Sequence, residues 1–107
     1  MPDELLQGTL DLLVLKTLSL EPMHGWAISQ RIRQTSGDAF AVNQGSLYPA
    51  LHRLERKGWI GYEMGAADNG RQVKMYRLTP LGQEKLAEEK ATWDRFTATM
   101  ARILEAT

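Results

Sequence analysis

Apolar residues recur along this chain with three different spacings, and each predicts its own kind of element. From Leu5 to Leu20 they fall almost all the way round a helix: Leu5, Leu6, Leu10, Leu12, Leu13, Val14, Leu15, Leu18 and Leu20. A helix apolar on every side is buried on every side. In so small a domain that predicts a neighbour beyond its own core, such as a second subunit contacting Leu6 and Leu10. Pro22 breaks the run. A second helix is predicted from His24 to Ser36, with Ala27, Ile28 and Ile32 inward and Gly37 turning the chain out of it. Phe40 and Val42 alternate around Ala41, the spacing of one short strand.

The third helix is predicted from Asn43 to Lys57 and ends at Gly58. At 100° per residue, Leu47, Ala50, Leu51 and Leu54 form one core stripe, and Pro49, His52, Arg53 and Arg56 lie opposite, with Tyr48 on the flank. The opening of this helix is unusual. Ser46 as N-cap would put Pro49 in the first turn, where its missing N–H is harmless; Asn43 as N-cap would put Pro49 where it must kink the helix. Either way the amino end presents Gln44, Gly45, Ser46 and Tyr48 beside unpaired backbone N–H groups, a surface suited to phosphate.

Two strands follow, one from Trp59 to Met64 and one from Gln72 to Leu78, joined by GAADNGR with its Asn69-Gly70 turn signal. Thr79 then caps a last helix with Pro80 at its first position. In that helix Leu86, Trp93 and Met100 recur every seven residues, and Phe96 and Ile103 follow Trp93 and Met100 by three. That is a coiled-coil seam interrupted at Glu89. It predicts pairing with a second copy through Leu86, Trp93, Phe96, Met100 and Ile103, the alternative being a helix folded back on its own core. The fold class expected is mostly α with a small β-ribbon: a winged helix-turn-helix over residues 1–79, with an N-terminal helix, and a long C-terminal dimerisation helix over 80–107 of the same single domain.

The chain is 107 residues long, 43% hydrophobic and 24% charged, with a formal net charge of zero. Zero net charge hides an uneven distribution: residues 31–77 carry eight basic and four acidic side chains, between acidic ends. A basic middle can make one positive face and keeps nucleic acid among the partners. With no cysteine and only two histidines, His24 and His52, neither a disulfide framework nor a zinc site is expected, and no cofactor. The start, MPDELL, is acidic, and Asp11 and Lys16 interrupt the apolar run, against a signal peptide or membrane span; a cytoplasmic protein is expected. No HExxH, GxSxG or phosphate loop occurs, so catalysis is not expected, and Glu84, Glu88 and Glu89 read as a solvated face.

GSLYPALHRLERKGWI, followed by NGRQVKMYRLTPLG, resembles the PadR family of bacterial transcriptional regulators, and the opening GTLDLLVLKTLSLEPMHGWAI matches as well. The resemblance spans nearly the whole chain and its single C-terminal helix resembles the smaller subgroup. It implies a winged-helix homodimer, in most cases a repressor, on a palindromic operator in double-stranded DNA. It makes Tyr48, with Gln44 and Ser46, the major-groove reader, with His52 and Arg53 on the same outward face. Arg71 and Lys74 become wing contacts to phosphate or minor groove. It also implies a small aromatic effector held at Trp93 and Phe96, where plain interface packing is the other reading. Two departures stand out: Val73 where the family often has a basic residue, and Trp26 where a tyrosine is common. The competing reading is a winged helix used only for protein–protein contact.

Overall fold

The computed structural model describes residues 7–107. Its order is α1 (Gln7–Leu20), α2 (Gly25–Thr35), α3 (Gln44–Arg56), β1 (Ile60–Ala66), β2 (Gln72–Leu78) and α4 (Pro80–Glu105). Leu6, expected in a subunit contact, lies outside the described residues. The architecture is the winged helix-turn-helix expected from the spacing.

Helix α1 runs through the middle of the domain, packed by α2, α3, β2 and the first part of α4. The domain itself thus supplies much of the burial that the apolar circumference predicts, while Leu12 and Leu13 stay half-buried and Leu20 exposed. Leu10, Val14, Leu15 and Leu18 are all buried by the chain itself, so Leu10 offers little to a second subunit. The remaining core comes from Ile28 and Ile32 of α2, the predicted stripe Leu47, Ala50, Leu51 and Leu54 of α3, and Ile60 and Tyr76 of the ribbon. Burying side chains of this size contributes roughly 1.5–3 kcal/mol each.

The two strands form an antiparallel pair with Ile60 opposite Leu78, Tyr62 opposite Tyr76 and Met64 opposite Lys74. The connection closes through Ala67 N–H to Arg71 O (2.9 Å), with Gly70 at φ +84°, a left-handed value that glycine adopts without a Cβ penalty. No strand forms at Phe40–Val42, contrary to expectation. Phe40 and Val42 pack on the core from an irregular lead-in to α3. The free edge of β2 is taken instead by Met23, whose N–H and C=O both pair with Tyr76 (3.0 and 2.8 Å).

Asn43 is the N-cap of α3: its Oδ1 accepts from Ser46 N–H at 2.9 Å. Pro49 therefore sits inside the helix, in its second turn, and leaves the carbonyl of exposed Gly45 without its usual helical donor. Thr79 caps α4 as predicted, accepting from Gly82 N–H (3.0 Å) while its hydroxyl points at the carbonyls of Gly58 (2.7 Å) and Trp59 (3.0 Å). This hydroxyl locks the start of α4 to the turn between α3 and β1.

The 26 residues of α4 span about 39 Å, more than the rest of the domain can cover. Leu86 packs on the core, but from Ala87 onward every residue is exposed. The helix does not fold back on its own domain, and Trp93, Phe96, Met100, Ile103 and Leu104 form an open apolar stripe.

Candidate nucleic-acid interface

Helix α3 buries one face and offers the other. Gln44, Ser46, Tyr48 and His52 are all exposed, and Gln44, Tyr48 and His52 follow one another at four-residue steps along one side of the helix. The cap uses the Ser46 and Leu47 N–H groups, so the Gln44 and Gly45 N–H groups are left at the helix end.

Tyr48 is held at the point where α3 meets α2. A Cβ at Gly25 would lie 3.0 Å from the Tyr48 hydroxyl and 3.2 Å from its ring. Glycine at position 25 lets this ring lie close against the start of α2; a larger residue there would require the ring to shift by a few tenths of an ångström. Tyr48 is nonetheless 42% exposed, an aromatic packed on one side and presented on the other.

Across from Tyr48 stands the wing. Tyr48, Arg71 and Lys74 line a common open cleft of about 580 Å³, together with His24, Gly25, Trp26, Val73, Tyr76 and the tip residues Ala67, Asp68 and Asn69. The ammonium of Lys74 rests 4.3 Å from the ring centre of Tyr62. At an exposed site such a contact is worth about 0.5–1 kcal/mol, small enough for a phosphate to compete with it. Arg77, the third basic residue of the ribbon, is paired with Glu63 at 3.1 Å. Tyr76, at the cleft floor, is buried against Met23 and Tyr62. Burial, and after it the neighbouring Glu55, Tyr48 and Tyr62, push its phenol pKa up, so it remains a neutral donor.

Arg53 takes a different course from its neighbours. Its guanidinium turns toward α1 and meets Asp11 at 2.9 Å, with both side chains mostly covered. It therefore joins α3 to α1 rather than standing outward with His52. The sequence reading missed His24 and Gly25 as site residues. His24 is the N-cap of α2, its Nδ1 accepting from Ala27 N–H at 3.2 Å. Trp26 and Val73, the two departures from the family motif, both line the cleft.

A capped helix with an exposed polar and aromatic edge, set beside a basic two-stranded ribbon, defines a winged-helix DNA-binding protein. Residues 14–88 match the Transcriptional regulator PadR-like family, and the chain belongs to that family. Its relatives include an uncharacterized protein of Lysinibacillus sphaericus, 31% identical over 90 residues that cover 84% of this chain and 83% of that one. Transcriptional regulator Rv3488 of Mycobacterium tuberculosis is 38% identical over 68 residues, 64% of this chain and 60% of that protein. The crystal structure of a PadR-like transcriptional regulator from Bacillus cereus superposes with a TM-score of 0.79 at 28% identity, covering 94% of this chain and 95% of that one. The protein is accordingly a transcriptional regulator and not an enzyme. Among the described residues no helix is long and apolar enough to cross a membrane.

Proposed function

We propose that this chain is a cytoplasmic, sequence-specific repressor that binds a palindromic operator as a homodimer. One α3 of each copy enters the major groove, Tyr48 with Gln44, Ser46 and His52 reads base edges, and Arg71 and Lys74 of the wing hold backbone phosphate or the minor groove. Residues 80–107 supply the dimer contact through the apolar stripe of α4. Two reading helices joined in this way address half-sites about 34–36 Å apart. The observation that carries the reading is Tyr48, seated against Gly25 and open toward the two wing cations. A winged helix serving only protein–protein contact needs the core stripe of α3 but not this outward set.

Tyr48→Phe tests the reader. Loss of the hydroxyl should weaken operator binding by about 1–3 kcal/mol while thermal stability is kept, because the ring still packs on Gly25. Unchanged affinity would return Tyr48 to a structural role. The wing is tested by salt. Replacing Arg71 and Lys74 together with Ala should weaken operator and random duplex alike and flatten the logarithmic salt dependence by about two units of slope. Loss confined to the operator would mean that the wing reads bases. A wild-type protein with no salt-dependent binding to any duplex would favour the protein–protein alternative.

Trp93 and Phe96 lie with ring centres 5.9 Å apart on the open side of α4. In a dimer their first role is packing, and the same pair offers a planar aromatic effector a stacking surface between the two copies. Saturable quenching of Trp93 fluorescence by such a compound, lost in Trp93→Ala while the dimer persists, distinguishes the effector site from packing alone. Such an effector regulates only when it binds the free and DNA-bound forms unequally.

A further inference from the structure

Trp26 is 62% exposed, more than Trp93 at 42%, although it belongs to α2 and not to the apolar stripe of α4. It stands in the first turn of α2, beside the ring of His24 (6.4 Å between centres), and forms one wall of the cleft. Val73 of the wing also lines that cleft, so apolar surface on α2 is matched by apolar surface on β2. Arg71 and Lys74 bring two cations to the same opening, and Asp68 at the ribbon tip is the acid that lines it. An occupant suited to this cleft offers negative groups to Arg71 and Lys74 and an uncharged, partly apolar surface to Trp26 and Val73. A nucleic-acid strand has this alternation, with the faces of its sugars set between phosphates. The cleft is also continuous with the reading edge, because Tyr48 belongs to both.

We propose that this cleft seats one strand of the DNA backbone, with Trp26 and Val73 against a deoxyribose and Arg71 and Lys74 against the flanking phosphates. The inference rests on the DNA-binding reading above and adds Trp26 as an uncharged contact within it. Its consequence is separable from that of the cations. Phosphate contacts release counterions and set the salt slope, whereas an indole on a sugar contributes affinity without changing that slope.

The test uses the full chain and the duplex that it selects from random-sequence DNA. Trp26→Ala should weaken binding about tenfold at every salt concentration, with the slope and the melting temperature unchanged. Trp26→Tyr should restore most of the loss. In parallel, the wild-type chain is labelled with 5-fluorotryptophan, and the Trp26 fluorine resonance is assigned by its disappearance in Trp26→Phe. Adding the duplex should shift that resonance and remove its sensitivity to exchange of H2O for D2O. Wild-type affinity in Trp26→Ala, or a Trp26 that stays solvent-sensitive in the complex, overturns the proposal and leaves the DNA-binding reading standing. Failure of the wild-type chain to select any duplex overturns both.

Discussion

A variant carrying Asp in place of both Phe96 and Met100 should be a folded monomer with little affinity for its operator. Both side chains are apolar, lie on the half of α4 that is exposed throughout, and are set on the stripe with Trp93 and Ile103. In a symmetric dimer the substitutions remove four apolar side chains from the contact and place four carboxylates there. Losing the burial alone weakens association by up to about 6 kcal/mol, on the order of 10⁴-fold, and like charges brought together add to it. The domain fold should survive, because the core residues of α1, α2, α3 and the ribbon lie elsewhere. Sedimentation equilibrium reads the mass and circular dichroism the fold. Operator affinity should fall by about 10²-fold or more, since each half-site is then bound without the other. A variant that stays dimeric would place the contact on some surface other than this stripe.

Gly82→Ala should be among the most destabilising single changes in the domain. Gly82 is buried in the first turn of α4, and a Cβ there would run into the carbonyl oxygen of Trp59. It would also come within 2.9 Å of the Leu78 side chain. The Trp59 carbonyl is not free to retreat, for it accepts from the Thr79 N–H (3.1 Å) and lies 3.0 Å from the Thr79 hydroxyl. Relief of the clash breaks the cap of α4 or separates α4 from the α3–β1 turn. A loss of about 3–4 kcal/mol is expected, with a fall in melting temperature of about 15 °C or more. A change of less than about 2 °C would show that this corner yields without strain.

The two predictions act at opposite ends of α4. Near Gly82 the helix is part of the domain, and beyond Ala87 it is a solvent-facing arm. A mutation at the arm should alter assembly and leave unfolding of the domain little changed, while a mutation at the base should do the reverse.

What the sequence by itself determined is the set of features carried by neighbours along the chain. The start of α4 at Thr79-Pro80, the left-handed exit of α2 at Gly37, the stripe of α3 and the span of β2 all follow from caps, glycines and periodicity within a few residues. The outward set Gln44, Ser46, Tyr48 and His52 was legible for the same reason: a helix that buries Leu47, Ala50, Leu51 and Leu54 must turn those residues out. Tertiary structure decided what depends on partners far along the chain. Arg53 points to Asp11, 42 residues away, and periodicity cannot see a charge on another helix. The edge of β2 went to Met23 rather than to Phe40–Val42, because a strand needs a backbone within reach as well as alternating side chains. The apolar circumference of α1 was a sign of burial over most of its length, yet it did not say by what; α2, α3, β2 and α4 pack against it, and Leu20 at its end stays exposed. The choice between Asn43 and Ser46 as cap was local but nearly balanced; in the fold Asn43 caps, its Oδ1 accepting from the Ser46 N–H. Gly25 and Trp26 join Tyr48 and the wing only because α2, α3 and β2 converge, and no spacing in the chain encodes that convergence.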